Sequence, residues 1–348
     1  MRADRTGHER IPMLEELGFV TSRSGTLLVI DTGYLGIWSH DRAPLLPDYI
    51  LDSAEATEKA NSFVDLKIEG ADAERAGRLL EMSRHPLYVF DQPADHSELE
   101  DRLKALCKQH GLDASFRVIS PRIAHRKRVA LALERGGAGE IQFHGVPAVA
   151  IGCIPINCRI AVLGERMAAP DHFQWKTVFL QWRKETSITR SDKIGNVGVD
   201  NARLLVADID AVGMWKHEEP LDGLADFVFW GRDAADVAKR VRAPELAEGN
   251  FGWTDLREKD AIERGAEVRG YVEQKNLRLA DDYRPHSHHW QVMKGARDSS
   301  TESGMAEIGG MTVCNFMTTW GDGLFEVYRD MNEAGDLVQV RIELSADD

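Results

Sequence analysis

Cysteine is scarce in this chain, with only Cys107, Cys153, Cys158 and Cys314 among 348 residues, and these form no CxxC pair and no repeated spacing. The scarcity excludes a disulfide framework as the source of stability. Residues 1–20 carry no signal-peptide pattern and the chain has no Asn-x-Ser/Thr site, so reduced thiols in a cytoplasm are expected. Long apolar runs are missing as well. The longest, Val146 to Ile156, is too short to span a bilayer and contains Pro147 and Pro155, so it reads as buried strand and turn, with no membrane association. Positive charge is in deficit: 43 basic side chains face 57 acidic ones, a formal net charge of −14 that is scattered rather than gathered in a tail. Such a surface repels phosphate backbones and anionic lipid, which disfavours nucleic acid, and it steers in a cationic protein partner. Also absent are a GxSxG elbow, a Walker A loop and a GxGxxG that follows a strand; Gly136-Gly137-Ala138-Gly139 precedes a strand pattern and reads as a turn.

What the chain does contain is a repeat. LLVIDTGYLGIWSH at 27–40 aligns without a gap on LLVADIDAVGMWKH at 204–217, and Leu27/Leu204, Leu28/Leu205, Val29/Val206, Asp31/Asp208, Gly36/Gly213, Trp38/Trp215 and His40/His217 are identical. Pro44-Leu45 answers Pro220-Leu221, and Gly70-x-Asp72-Ala73 answers Gly231-x-Asp233-Ala234 at the start of a helical pattern; Tyr88 to Asp91 answers Phe251 to Asp255 less closely. Alternation places Leu27, Val29 and Asp31 on one face of a strand and Gly36, Trp38 and His40 on one face of the next. Asp72 to Met82 and Asp233 to Val241 read as helices capped by their aspartates. Ser97-x-x-Glu100 reads as a capping box for a third helix, without a twin, that stops at Gly111. Each half ends in a hairpin pattern, 160–163 with 175–180 in the first and 324–329 with 337–344 in the second.

The expected fold class is therefore α+β: two tandem sheet-rich repeats, each a mostly antiparallel sheet with one or two helices, packed with pseudo-two-fold symmetry. The expected division is an N-terminal arm at 1–22, a first repeat at 23–186, a polar linker at 187–199 and a second repeat at 200–348. A monomer with internal pseudo-symmetry or a homodimer would satisfy this arrangement.

The C-terminal segment Trp320-Gly321-Asp322-Gly323-Leu324-Phe325-Glu326-Val327-Tyr328, followed by Gly335-Asp336-Leu337-Val338-Gln339-Val340, resembles the ending of a bacterial family of domains of unknown function. That family closes with a Gly-Asp-Gly turn, a Val-Tyr strand, a Gly turn and an alternating last strand. The first half departs from it, with Ile156-Asn157-Cys158 where the Gly-Asp-Gly turn would stand. The resemblance implies no established chemistry, but some related domains are suspected to be toxin-immunity proteins. A structural account of Asp322 is that it bonds its own turn while glycine supplies positive φ.

Candidate functional residues fall into two sets. Asp31, Trp38, His40, Asp208, Trp215 and His217 are kept in both copies, where acid, imidazole and aromatic together can build an acid/base pocket, but shared residues are first those needed to make a fold twice. Unshared residues are the better binding candidates. His286, His288 and His289, with Asp282 nearby, offer neutral imidazoles and a carboxylate of the type zinc takes, and His286 and His288 would share a face in an extended segment. Cys153 and Cys158 around Pro155 are a weak metal pair, with His144 as a distant third ligand. His125-Arg126-Lys127-Arg128 is the one compact basic run and reads as a solvated face. The expected function is an acidic binding protein without a cofactor, of immunity type, that captures a basic protein partner. The alternative is a metal-dependent hydrolase with zinc on His286, His288, His289 and Asp282.

Overall fold

The computed structural model describes residues 14–46, 53–80, 85–134, 136–167, 173–183 and 187–345. Two six-stranded antiparallel sheets form its centre. The first runs β1 (Leu14–Thr21), β8 (Arg159–Arg166), β9 (Trp175–Gln181), β19 (Leu337–Glu343), β18 (Gly323–Met331), β10 (Arg190–Val199). The second runs β16 (Ser303–Ile308), β17 (Met311–Met317), β11 (Arg203–Asp208), β2 (Leu27–Asp31), β7 (Val146–Ile151), β6 (Ala138–Phe143). Both sheets contain strands from both halves of the chain, and the strands of each half occupy one end.

Two smaller modules branch from this centre. In the first, β4 (Tyr88–Gln92), β3 (Val64–Glu69) and β5 (Ser115–Ile119) form a sheet packed by α2 (Ala73–Leu80) and α3 (Ser97–His110). In the second, β13 (Glu245–Ala247), β14 (Asn250–Arg257), β12 (Leu224–Trp230) and β15 (Ala280–Pro285) are packed by α6 (Ala234–Val241) and α7 (Glu258–Lys275). Helices α4 (His125–Leu133) and α8 (His288–Asp298) return the chain to the second large sheet. Shorter pieces are a 3-10 helix at Thr32–Ile37, α1 (Ala54–Asn61) and α5 (Ile209–Val212). The α+β class expected from the alternating periodicities is what the chain adopts, and among the described residues no helix is long and apolar enough to cross a membrane.

The sequence of β2, LLVID, has no polar face because both faces are covered. Leu27 and Val29 point into the layer between the large sheets, where they meet Val162, Val178, Leu180, Val327, Val340 and Ile342. Leu28 and Ile30 point the other way and pack with Trp38, Trp215, Val129 of α4 and Val292 of α8. Strand β11 repeats this with Leu204 and Val206 on one side and Leu205 and Ala207 on the other. Both central clusters therefore mix residues from the two halves, and each half keeps to itself only the core of its small module.

Strands β2 and β11 are antiparallel neighbours in a register that sets Val29 against Val206, Leu27 against Asp208 and Asp31 against Leu204. This register brings each aspartate to the other half's turn. Asp31, fully buried, accepts from the backbone N–H of Asp200 at 2.7 Å and of Asn201 at 2.9 Å, in the turn between β10 and β11, and from Gly33 N–H at 2.7 Å. Asp208, also fully buried, accepts from the N–H of Arg23 at 2.9 Å and Ser24 at 3.0 Å and from the Ser22 hydroxyl at 2.6 Å, between β1 and β2, and from Asp210 N–H at 2.8 Å. Each carboxylate thus holds the opposite turn and also caps the short helix that follows it.

Several local expectations are corrected. The stretch 187–199, expected as a linker, contains β10, whose Val197 and Val199 reach the core and whose backbone pairs with β18. In the expected arm at 1–22, residues 1–13 lie outside the described residues, while 14–21 form β1 on the edge of β8, the place that β10 takes beside β18. Residues 32–37 form the 3-10 helix rather than a strand, because Asp31 ends the strand by capping. Asp72 and Asp233 do not cap α2 and α6; their carboxylates accept from Asp113 N–H at 3.0 Å and Arg278 N–H at 2.7 Å, fixing the entry to β5 and β15. Ser97 bonds Asp95 instead of forming a capping box, although α3 does stop at Gly111 with φ 63°. In element order α7 stands where α3 stands in the first half.

Replacing Asp31 or Asp208 by alanine would take a fully buried acceptor away from at least three donors in each case. A loss of about 3 kcal/mol is expected for either variant, measured as a lower urea midpoint at unchanged slope. Because the halves share their cores, one unfolding transition is expected in both variants, and two resolved transitions would contradict this account.

Candidate functional site

The residues shared by the two copies divide between building the fold and lining a cavity. Trp38 stacks on Phe143 at 5.6 Å and on His125 at 5.5 Å, and Trp215 lies 5.8 Å from the His288 ring and donates its indole N–H to His217 Nδ1 at 3.1 Å. His125 and His288 open α4 and α8 and play matching parts, their Nδ1 atoms accepting from Ser39 N–H at 3.0 Å and Lys216 N–H at 2.9 Å. Gly36 backs onto His217, where a Cβ would sit 3.1 Å from the ring. Trp38, His40, Trp215 and His217 thereby line one cavity of about 330 Å³ between the two similar segments, together with Arg42, Lys216, Glu218 and Glu219. Asp31 and Asp208 lie elsewhere, in the turns already described. Asp322 accepts from Ala202 N–H at 2.9 Å, so it fastens the turn between β10 and β11 rather than its own, while Gly321 supplies the expected positive φ of 79°.

A feature that sequence reasoning missed is a pair of carboxylates in each small module. Asp65 on β3 accepts from the N–H of Asp91 at 2.9 Å, and Asp226 on β12 accepts from the N–H of Asp255 at 2.9 Å; Asp91 and Asp255 share a left-handed backbone, with φ of 51° and 55°. The faint signal was the alignment of 88–91 with 251–255, in which the aspartate is the one unchanged residue. In the first module guanidinium groups close the pair: Arg128 contacts Asp65 at 3.1 Å and Asp91 at 2.6 Å, and Arg122 contacts Asp91 at 3.1 Å, with all four side chains buried. Burial alone would raise the Asp91 carboxyl, but Arg128 outweighs it, aided by His144 and Arg122, and holds the group below the usual carboxylate range. This overturns the reading of 125–128 as a solvated basic face. His125 and Arg128 are fully buried, Arg126 pairs with Asp210 at 2.8 Å, and only Arg126 and Lys127 are exposed.

The second module fills the matching place differently. His286 lies 3.0 Å from Asp226 through Nε2 and 3.1 Å from Asp222 through Nδ1, and Trp290 stacks on its ring at 4.0 Å while donating to Asp226 at 3.2 Å. Asp255 stays 3.9 Å from His286 and its side chain is 73% exposed. Burial acts to lower the His286 pKa, but the hydrogen bonds to Asp226 and Asp222 prevail and the net shift is upward. Among the described residues Asp226, Asp255 and His286 are the one set of three such side chains whose ligand atoms lie within 4.8 Å of one another, and the only group placed to hold a metal ion.

The expected ligand set His286, His288, His289 and Asp282 does not converge. Ser287 caps α8, so the chain turns from strand to helix between His286 and His288, and successive side chains rotate apart instead of sharing a strand face. His286 faces the carboxylates and His288 faces Trp215. His289 packs on His217 with ring centres 4.3 Å apart, and Asp282 is bound to Arg284 at 2.6 Å. Cys153, with φ 59°, and Cys158, whose thiol faces Pro155 O at 3.4 Å, are free and sit on the expected turn; neither groups with His144 as a ligand set.

Arg128→Met would leave the buried Asp65 without a cation and Asp91 with Arg122 alone, and is expected to cost about 3–5 kcal/mol in chemical denaturation. The His286 pair has the opposite pH signature to a carboxylate. Its folded pKa is raised above 6.5, so its stabilisation is complete below that value and fades as pH rises through the folded pKa. The stability gap between the native chain and His286→Gln is therefore expected to be larger at about pH 6 than at about pH 9, and an equal gap at both would refute the ion pair. No family model matches the chain, and no curated protein and no solved structure matches it either.

Proposed function

We propose that this is a binding protein whose second half receives a cationic side chain of a basic protein partner at Asp222, Asp226 and Asp255. The carrying observation is the contrast between two carboxylate pairs of the same local build. At Asp65 and Asp91 the chain's own guanidiniums complete the pair, whereas among the described residues Asp255 meets no guanidinium, only the His286 ring at 3.9 Å, and its side chain is 73% exposed, as Asp222 is half exposed. The closed pair supplies a template for how an arginine from outside would sit on the open one. The net charge of −14 would draw such a partner in from a distance. A basic toxin neutralised by capture is one partner of this chemistry, in keeping with the likeness of the C-terminal segment to domains suspected as immunity proteins. The blocks at 27–40 and 204–217, identical at seven of fourteen positions, and the matching element order support a second part of the proposal, that the chain is a duplicated unit arranged about a pseudo-two-fold axis through Val29 and Val206.

The metal-dependent hydrolase loses its ligand set when His286, His288 and His289 diverge. An ion at Asp226, Asp255 and His286 would have to displace the hydrogen bonds that His286 already makes. Titration with a short arginine-rich peptide, followed by calorimetry, separates the readings. Salt-sensitive binding is expected in the native chain, weakened about tenfold or more in Asp222→Asn/Asp255→Asn. Equal affinity in that variant, or stoichiometric zinc lost on His286→Gln, would overturn the proposal.

A further inference from the structure

A second cavity of the second half, about 340 Å³ in volume, has the opposite electrostatic character. Its inner wall carries Arg203, the residue that opens β11, and its rim carries Arg297 from the last turn of α8. Arg203 is half-buried and makes no ion pair. One of its terminal nitrogens rests on the Met293 sulfur at 3.3 Å, a poor acceptor, and its Nε is buried with no partner. Arg297 makes no hydrogen bond and no ion pair either among the described residues. His217 and His289 also face the cavity, and His289 Nδ1 is buried without a partner. Burial, reinforced by Arg203, lowers the pKa of His217 to about 4; burial, reinforced by His217 and then Arg203 and Arg297, lowers that of His289 to about 3, so both rings are neutral donors or acceptors at physiological pH.

Among the described residues the acidic groups act on these cations only without pairing, Asp31 on Arg203 and Asp282, Asp298 and Asp226 on Arg297. Asp282 is engaged by Arg284, and Glu218 lies exposed at the edge. A guanidinium withdrawn from water without an anion is costly, and the cost is relieved when an anion enters. The first turn of α8, capped by Ser287, also lines the cavity and adds the positive end of that helix. Trp290, Tyr283 and the thioether of Met293 supply a flat apolar wall beside the charged one. Threonine at position 26 aligns with Arg203, so the feature belongs to one half only.

We propose that this cavity is a binding site for a small organic oxyanion, whose carboxylate or phosphate group bridges Arg203 and Arg297 while its apolar part lies against Trp290 and Met293. The site does not depend on the cation-binding reading, with which it shares only Trp290. Three probes distinguish the sources of the oxyanion: inorganic phosphate, phenyl phosphate and benzoate, titrated by calorimetry and by the shift in melting temperature. Saturable stabilisation by at least one probe at millimolar concentration is expected, with affinity about tenfold or more weaker in Arg203→Gln and in Arg297→Gln. A structural arginine would behave otherwise in a second test. Arg203→Met is expected to melt no lower than the native chain in the absence of any probe, because it removes an uncompensated charge, and to lose the response to the probe. Failure of all three probes to bind the native chain, undiminished affinity in both glutamine variants, or a lowered melting temperature of Arg203→Met without probe would each overturn the proposal.

Discussion

The structure depends on an exchange between two buried carboxylates. Asp31, at the end of β2, holds the turn between β10 and β11, and Asp208, at the end of β11, holds the turn between β1 and β2. Each aspartate terminates its strand, caps a short helix, and satisfies backbone donors that belong to the other half. Burying a carboxylate is unfavourable, and for Asp31 burial pushes the carboxyl above its usual range even against four lowering hydrogen bonds. The arrangement persists because each carboxylate is the shared acceptor of several turn donors, which would all lose their partner together if it were removed. The antiparallel register of β2 on β11 follows from the same contacts, and with it the sharing of both large sheets.

Around that frame the two halves have the same order of elements and differ in what fills the small modules. The carboxylate pair at Asp65 and Asp91 is a closed ion cluster that stabilises a module; the pair at Asp226 and Asp255 lacks arginines and opens to solvent. The helix that follows carries His125 and His288 in matching contacts, yet three residues into α4 stands Arg128, whereas α8 offers His289 and Trp290. With no guanidinium on its carboxylates, the second module has an acidic opening at Asp222 and Asp255. Arg203 and Arg297 line a separate cavity that Trp290 also borders. Trp290 stands between the two, donating its indole N–H to Asp226 and stacking on His286 while also lining the cavity of Arg203 and Arg297.

Periodicity and repetition made much of the scaffold legible. The block at 27–40 and 204–217 marked the two strands that pair at the centre, the alternating segments marked the closing hairpins, and the class followed from their order. The polar stretch 187–199 misled because edge strands tolerate polar residues on their open face, and only Val197 and Val199 betray its buried end. The histidine cluster misled for a related reason: three neighbours in sequence share a site only if the backbone stays extended, and Ser287 turns it into a helix.

The sequence by itself determined the repeat, the α+β class, the acidic balance and the importance of Asp31, Asp208, Trp38 and Trp215. These are written in residue type and spacing, which follow from local rules. The tertiary structure alone decided that the halves share their cores, that Asp226 meets Asp255 and His286, and that Arg203 faces His217, His289 and Arg297. Those contacts join residues far apart along the chain, and their energies depend on burial and on which charge stands opposite. Neither quantity exists until the sheets have closed.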